Sequence, residues 1–215
     1  MRAVLVILAV LGIFVAMPLF VTVILGSSPA SASCSAAAGI RCSVSSDPQV
    51  LAATLLAAYG DGTLRDTRPA MITDEIAPTA AGTASAQCSI DVRVLQAMVL
   101  VLRRFASVGV SDLGRPCAGM SLDCPGSAHC AAPDLAVDFV SVGGAPVNGY
   151  STADAELLRF LDGVVPRGTS AGQSQCRAQH DQPAITLKNI SRFPDDCTHQ
   201  HIDFHATTAP LAVAG

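Results

Sequence analysis

Leu135-Ala136-Val137-Asp138-Phe139-Val140-Ser141-Val142 is the stretch from which the rest of the chain is read. Its β-branched and aromatic residues alternate with period two, so a strand is expected over Leu135–Val142. Val137 and Phe139 fall on one face, and Ala136 and Asp138 on the other. Upstream, Asp91 is a candidate N-cap for a helix. Val92, Leu95, Met98, Val99, Leu102 and Phe105 share one face of that helix, and Arg103 and Arg104 sit near its C-terminal end, where cations suit the helix dipole. Val108 and Val110 alternate as a short strand, and 112–128 reads as loop, rich in Gly, Pro and Cys. Downstream, Ser151–Leu161 is expected to be helical, with Leu157, Leu158 and Leu161 buried and Gly163 as its stop. Residues 163–182 read as loop, and Ala184–Ile190 and His201–His205 as two further strands. Helix, strand, strand, helix, strand, strand predicts an α+β fold, with helices packed on a small, mainly antiparallel sheet.

The N-terminal part is organised differently. Asp47-Pro48 pairs an N-cap with proline at the first helical position, and Leu51, Leu55 and Ala58 follow at helical spacing up to Gly60. Pro78–Ala86 is low in complexity and reads as a linker or exposed loop. The expected division is 1–33, 34–86 as an extension with one helix and a linker, and 87–215 as the main domain. Ala3–Leu25 carries no charge and is long enough to cross a bilayer core of roughly 30 Å as a helix. Ala30-Ser31-Ala32 has the small-x-small form of a signal-peptidase site. A cleaved signal peptide and an uncleaved membrane anchor both fit, and both place the rest of the chain outside the cytoplasm, secreted or anchored.

Eight cysteines, none of them in the apolar segment, read as a disulfide framework of an oxidising compartment. Cys34/Cys42 and Cys117/Cys124 are plausible local loops. No CxxC occurs, which argues against a cysteine zinc site. Tryptophan is absent, so the core must come from Leu, Val, Ile and Ala. A net charge of −4 with no basic stripe excludes nucleic acid as the expected partner.

Three of the five histidines, His199, His201 and His205, fall within seven residues; the others are His129 and His180. Ser127-Ala128-His129, Ala136-Val137-Asp138 and His199-Gln200-His201 together supply two imidazoles and a carboxylate. Hydrolytic zinc sites use three such ligands and leave a fourth position for water, whose pKa the metal lowers to about 7. His180 and His205 read as structural.

In order and spacing these motifs resemble the zinc peptidases of the D-Ala-D-Ala carboxypeptidase type, with their lysostaphin- and hedgehog-like relatives, over roughly residues 90–207. The resemblance implies zinc on His129, Asp138 and His201, and a His199 that steadies the tetrahedral intermediate. It also implies that Arg115 binds substrate, and that the substrate class is peptidoglycan stem peptides. Two departures stand out. Asp138 follows His129 at a longer spacing than the family's, which leaves Asp134 as a rival ligand; the strand pattern favours Asp138. Thr198 occupies the family's general-base position and cannot take a proton near neutral pH, so Asp195 or Asp196 would have to replace it, with Asp196 named as the catalytic candidate. The expected function is therefore an exported zinc peptidase. The alternatives are a non-catalytic, peptidase-derived domain binding a cell-wall component, and a disulfide-stapled structural domain without metal.

Overall fold

A computed structural model describes residues 34–35, 41–117, 119–120 and 123–212. The segment read as a signal peptide or anchor lies outside the described residues. Among the described residues no helix is long and apolar enough to cross a membrane.

A short ribbon comes first: β1 (Cys34–Ser35) pairs antiparallel with β2 (Arg41–Cys42), Cys34 opposite Cys42. Helix α1 (Pro48–Gly60) begins where the Asp47 carboxylate accepts the backbone N–H groups of Gln49 and Val50. It buries Leu51, Ala52, Leu55 and Ala58. The edge strand β3 (Leu64–Asp66) follows, then a π-helical stretch, Met71–Ile76, that continues into α2 (Ala77–Ala81). The expected linker over 78–86 is therefore corrected: its first part is helix. Alanine is the best helix former and Pro78 sits in the first turn, where no N–H is needed, so low complexity hid a short helix that Gly82 ends at φ 69.

Helix α3 (Val92–Phe105) is capped by Asp91, whose carboxylate accepts the Arg93 N–H at 2.9 Å. Every residue from Arg93 to Leu102 is buried, so α3 runs through the middle of the core instead of showing one apolar face. Strand β4 (Val108–Asp112) leads to the long loop, and then come β5 (Ala136–Val142) and β6 (Ala145–Pro146). Helix α4 (Thr152–Asp162) opens on a capping box between Ser151 and Asp154. The chain ends with β7 (Thr169–Ala171), α5 (Cys176–Gln179), β8 (Ile190–Arg192) and β9 (Gln200–Asp203).

The broad class is mixed α and β, compatible with α+β, but the sheet is not the small, mainly antiparallel one expected. Seven strands join in the order β3-β4-β5-β9-β7-β8, with β6 hairpinned onto β5. The β3/β4 and β7/β8 pairs are parallel; the others are antiparallel. Strands β3, β7 and β8 have three residues each, too few for an alternating pattern to show. The strand expected over 184–190 starts only at Ile190.

The described residues fall in one compact unit. Leu51, Leu55, Met71 and Ile76, from the stretch expected to be an extension, share the core with α3, Val137, Phe139 and Ile202. Disulfides join Cys88 to Cys117, Cys124 to Cys130 and Cys176 to Cys197. The local Cys117/Cys124 loop is corrected accordingly, and the Cys34/Cys42 side chains lie outside the described ones. The three disulfides among the described residues point to an extracellular or otherwise oxidising environment.

Candidate metal centre

Strand register builds the site. In the β5/β9 pairing Asp138 stands directly opposite His201, and Ala136 opposite Asp203. Because side chains alternate, Val137, Phe139 and Ile202 enter the core, while Asp138, His201 and Asp203 share the other face. His129 comes from a 3-10 turn, Ala128–Cys130, capped by the Ser127 hydroxyl, which accepts the His129 N–H at 3.3 Å. The Cys124–Cys130 disulfide closes the loop that carries it.

His129 Nε2 lies 3.2 Å from Asp138 Oδ1 and 3.2 Å from His201 Nδ1, and His201 Nδ1 lies 2.8 Å from the same Asp138 oxygen. All three residues are buried. Ligands held about 2.0–2.1 Å from a tetrahedral metal stand roughly 3.3 Å apart, close to the sides of this triangle. The outer ring nitrogens are both engaged. His129 Nδ1 is 2.8 Å from the Leu113 carbonyl, and His201 Nε2 is 3.2 Å from Asp203 Oδ2. A carbonyl and a carboxylate can only accept, so both outer nitrogens carry protons. The inner nitrogens are thereby left to bind, an arrangement that metal-ligating histidines commonly share.

The electrostatics favour a positive charge at this point. Burial opposes ionisation of Asp138, but hydrogen bonds from His129 and His201 hold its carboxyl far below the usual range. Burial likewise opposes a charge on His201, yet its bonds to Asp138 and Asp203 win and push it up to about 9. Either a proton on His201 or a metal ion can supply that charge, and a divalent cation would displace the proton. Buried histidine and aspartate ligands able to hold a metal ion are thus present.

A second set of possible ligands, Asp195, His199 and His201, shares His201 with the first. Asp134 is buried on the outer side of His129, 4.0 Å from Nδ1, and does not join the triangle. Burial and the nearby Glu75 raise its pKa well above the ordinary value. His199 Nε2 is 3.5 Å from Asp138 Oδ1 and 3.7 Å from Asp195 Oδ2. Asp195 therefore faces the ligand cluster. Asp196 lies on the opposite side of His199, 3.3 Å from Nδ1, with its carboxylate accepting the N–H and hydroxyl of Thr198. Thr198 points into that turn and not at the ligands. Arg115 borders the same cleft of about 650 Å³, its Nε held by Asp112 at 2.7 Å. His205 is exposed at the rim, and His180 stacks on Tyr150 at 3.6 Å.

Three further groups contribute to the site. Asp203 could have been found as the strand neighbour two residues after His201, on the same face. The Leu113 carbonyl is a backbone group, and nothing in a sequence announces it. Gln173 is fully buried; its Oε1 accepts the His201 N–H at 2.9 Å, which turns its amide nitrogen toward His199 Nε2 at 3.3 Å. No family model, curated protein or solved structure matches this chain.

Proposed function

We propose that this protein is a zinc-dependent peptidase acting outside the cytoplasm, with peptidoglycan stem peptides as its substrate class. The observation that carries the reading is the convergence of His129 Nε2, Asp138 Oδ1 and His201 Nδ1, with both outer ring nitrogens already satisfied. The resemblance in the order of the motifs supports the peptidase class and the substrate. Two imidazoles and a carboxylate are a donor set suited to zinc, with room for a further ligand. Bound there, zinc would polarise a scissile carbonyl and lower the pKa of water to about 7.

The chain's own groups would do the rest. Asp195, which lines the cleft beside His199, would take a proton from the attacking water, in the role that Thr198 cannot fill. His199, with Nδ1 held by Asp196, would turn Nε2 to the cleft and, when doubly protonated, donate from it to the developing oxyanion. Arg115, steadied by Asp112, would grip a carboxylate of the substrate. Replacing His201 by Ala should abolish both zinc binding and hydrolysis of a D-Ala-terminated stem peptide. A His201→Ala protein that hydrolyses at the full rate would sink the assignment.

Thr198 favours a second reading, a metal-holding domain that binds cell-wall peptide without cleaving it. Hydrolysis that is abolished by chelation and restored by zinc would rule it out. Stoichiometric zinc and peptide binding without turnover would establish it.

A further inference from the structure

The turn Asp112-Leu113-Gly114-Arg115, which leaves β4 for the site, is tied down at every residue. The Asp112 carboxylate meets Arg68 at 2.9 Å and Arg115 at 2.7 Å. The Leu113 carbonyl accepts His129 Nδ1–H at 2.8 Å. The Gly114 N–H donates to Glu75 Oε2 at 2.7 Å, and the Arg115 N–H donates to the His129 carbonyl at 2.9 Å. Glu75 reaches the turn from the π-helical stretch Met71–Ile76 and is 0 % exposed. Its other oxygen meets Arg68 at 3.3 Å.

The Leu113 carbonyl and the Gly114 N–H belong to the same peptide plane, which is rigid and trans, so the two groups point in opposite directions. Glu75 holds one end of that plane, and His129 is held by the other. A carboxyl oxygen accepting the N–H polarises the unit and strengthens its carbonyl as an acceptor. Gly114 belongs to the device: a Cβ there would lie 2.8 Å from Glu75 Oε2. Glu75 divides its buried carboxyl between Arg68 and this one backbone N–H.

We infer that Glu75 is a positioning residue of the metal centre, which orients and polarises His129 through the 113–114 peptide as Asp203 does directly for His201. The stretch 68–76, outside the span that resembles any peptidase, then takes part in the site. The inference rests on the metal-centre reading for its first readout and on His129 itself for its second.

The test uses Glu75→Gln, Glu75→Leu and Gly114→Ala in the full chain, with folding checked by circular dichroism. Zinc affinity is measured on folded protein by competition with a chromophoric chelator. Glu75→Leu removes the acceptor and should weaken zinc binding roughly 10–100-fold, the usual loss for an outer-shell partner. Gly114→Ala should do the same from the other side. Glu75→Gln retains an acceptor oxygen and should lose less than Glu75→Leu. In parallel, nitrogen–proton correlation spectra of the metal-free protein should show a protected His129 Nδ1–H, lost in Glu75→Leu and kept in Glu75→Gln. A folded Glu75→Leu protein that is merely less stable, with wild-type zinc affinity, overturns the inference. If Glu75→Leu does not fold, Gly114→Ala with wild-type zinc affinity overturns it instead. If the wild type binds no zinc, the metal-centre reading fails by itself, and the His129 resonance alone decides: unchanged in the variants, it overturns the role of Glu75.

Discussion

His201 divides its two ring nitrogens between two tasks: Nδ1 faces Asp138 and His129, and Nε2 faces Asp203. Asp203 therefore fixes the tautomer and raises the basicity of the ligand. Asp203→Ala should weaken metal binding roughly 10–100-fold, while Asp203→Asn, which can still accept from Nε2–H, should lose less. Chelator competition distinguishes the two, and an Asp203→Ala protein with unaltered affinity would remove Asp203 from the site. Asp134 makes the opposite prediction. Its carboxyl is buried, burial raises its pKa, and Oδ2 has no hydrogen-bond partner among the described residues. Asp134→Asn should leave zinc stoichiometry unchanged and should not lower stability at pH 7; elemental analysis and denaturant unfolding check both. At this scale the candidate ligands Asp138 and His201 were legible from residue type and strand parity, and His129, on a 3-10 turn, from its residue type alone. The choice between Asp195 and Asp196 was not legible. It depends on Gly172, where a Cβ would lie 3.0 Å from Asp195 Oδ2 and 3.2 Å from the His201 Cβ. That closeness of β7 to the 195–201 segment belongs to the tertiary fold.

Elements with a strong period were readable and short ones were not. The α3 and α4 helices announce themselves through caps and apolar spacing, and β5 through alternation. Strands β3, β7 and β8 exist because longer neighbours offer them hydrogen bonds, and α2 because it packs on α1. The π-helical stretch had no period at all, yet it delivers Glu75. Burial pushes the Glu75 carboxyl up from 4.5 to about 7, against the Gly114 N–H and Arg68 and with help from Asp112 and Asp74. A carboxyl raised on folding binds more protons in the folded than in the unfolded state between those values. Its stabilising contribution is therefore complete below about pH 4.5, is lost as the pH rises through about 7, and stays lost above that. The loss is on the order of 3 kcal/mol. Glu75→Gln should flatten this part of the stability profile, measured by urea unfolding from pH 4 to pH 8. An unchanged slope would mean that Glu75 does not titrate there; the neighbouring Asp134, which faces it, would then be the group to replace.

For the whole molecule, the sheet and the disulfides divide the work of holding the site. Asp138 and His201 are fixed by ladder pairing of β5 with β9, and β9 is braced on its other edge by β7. Asp195, Asp196 and His199 precede β9 in a segment without regular structure, tied to α5 by Cys176–Cys197. This predicts that metal binding and the chemistry around it come apart when that bridge is removed. The bridge spans 21 residues of sequence, and closing a loop of that size stabilises a fold by about 3 kcal/mol in the chain-entropy picture. Replacing Cys176 and Cys197 together by Ala should cost about that much in denaturant unfolding. It should leave one zinc per chain, because the ladder that presents His201 is intact. On the proposed peptidase reading it should also reduce stem-peptide turnover more than zinc affinity, because Asp195 and His199 lose their anchor. A folded double variant without zinc would show that the 195–199 segment, and not the β5/β9 ladder, holds His201 in place.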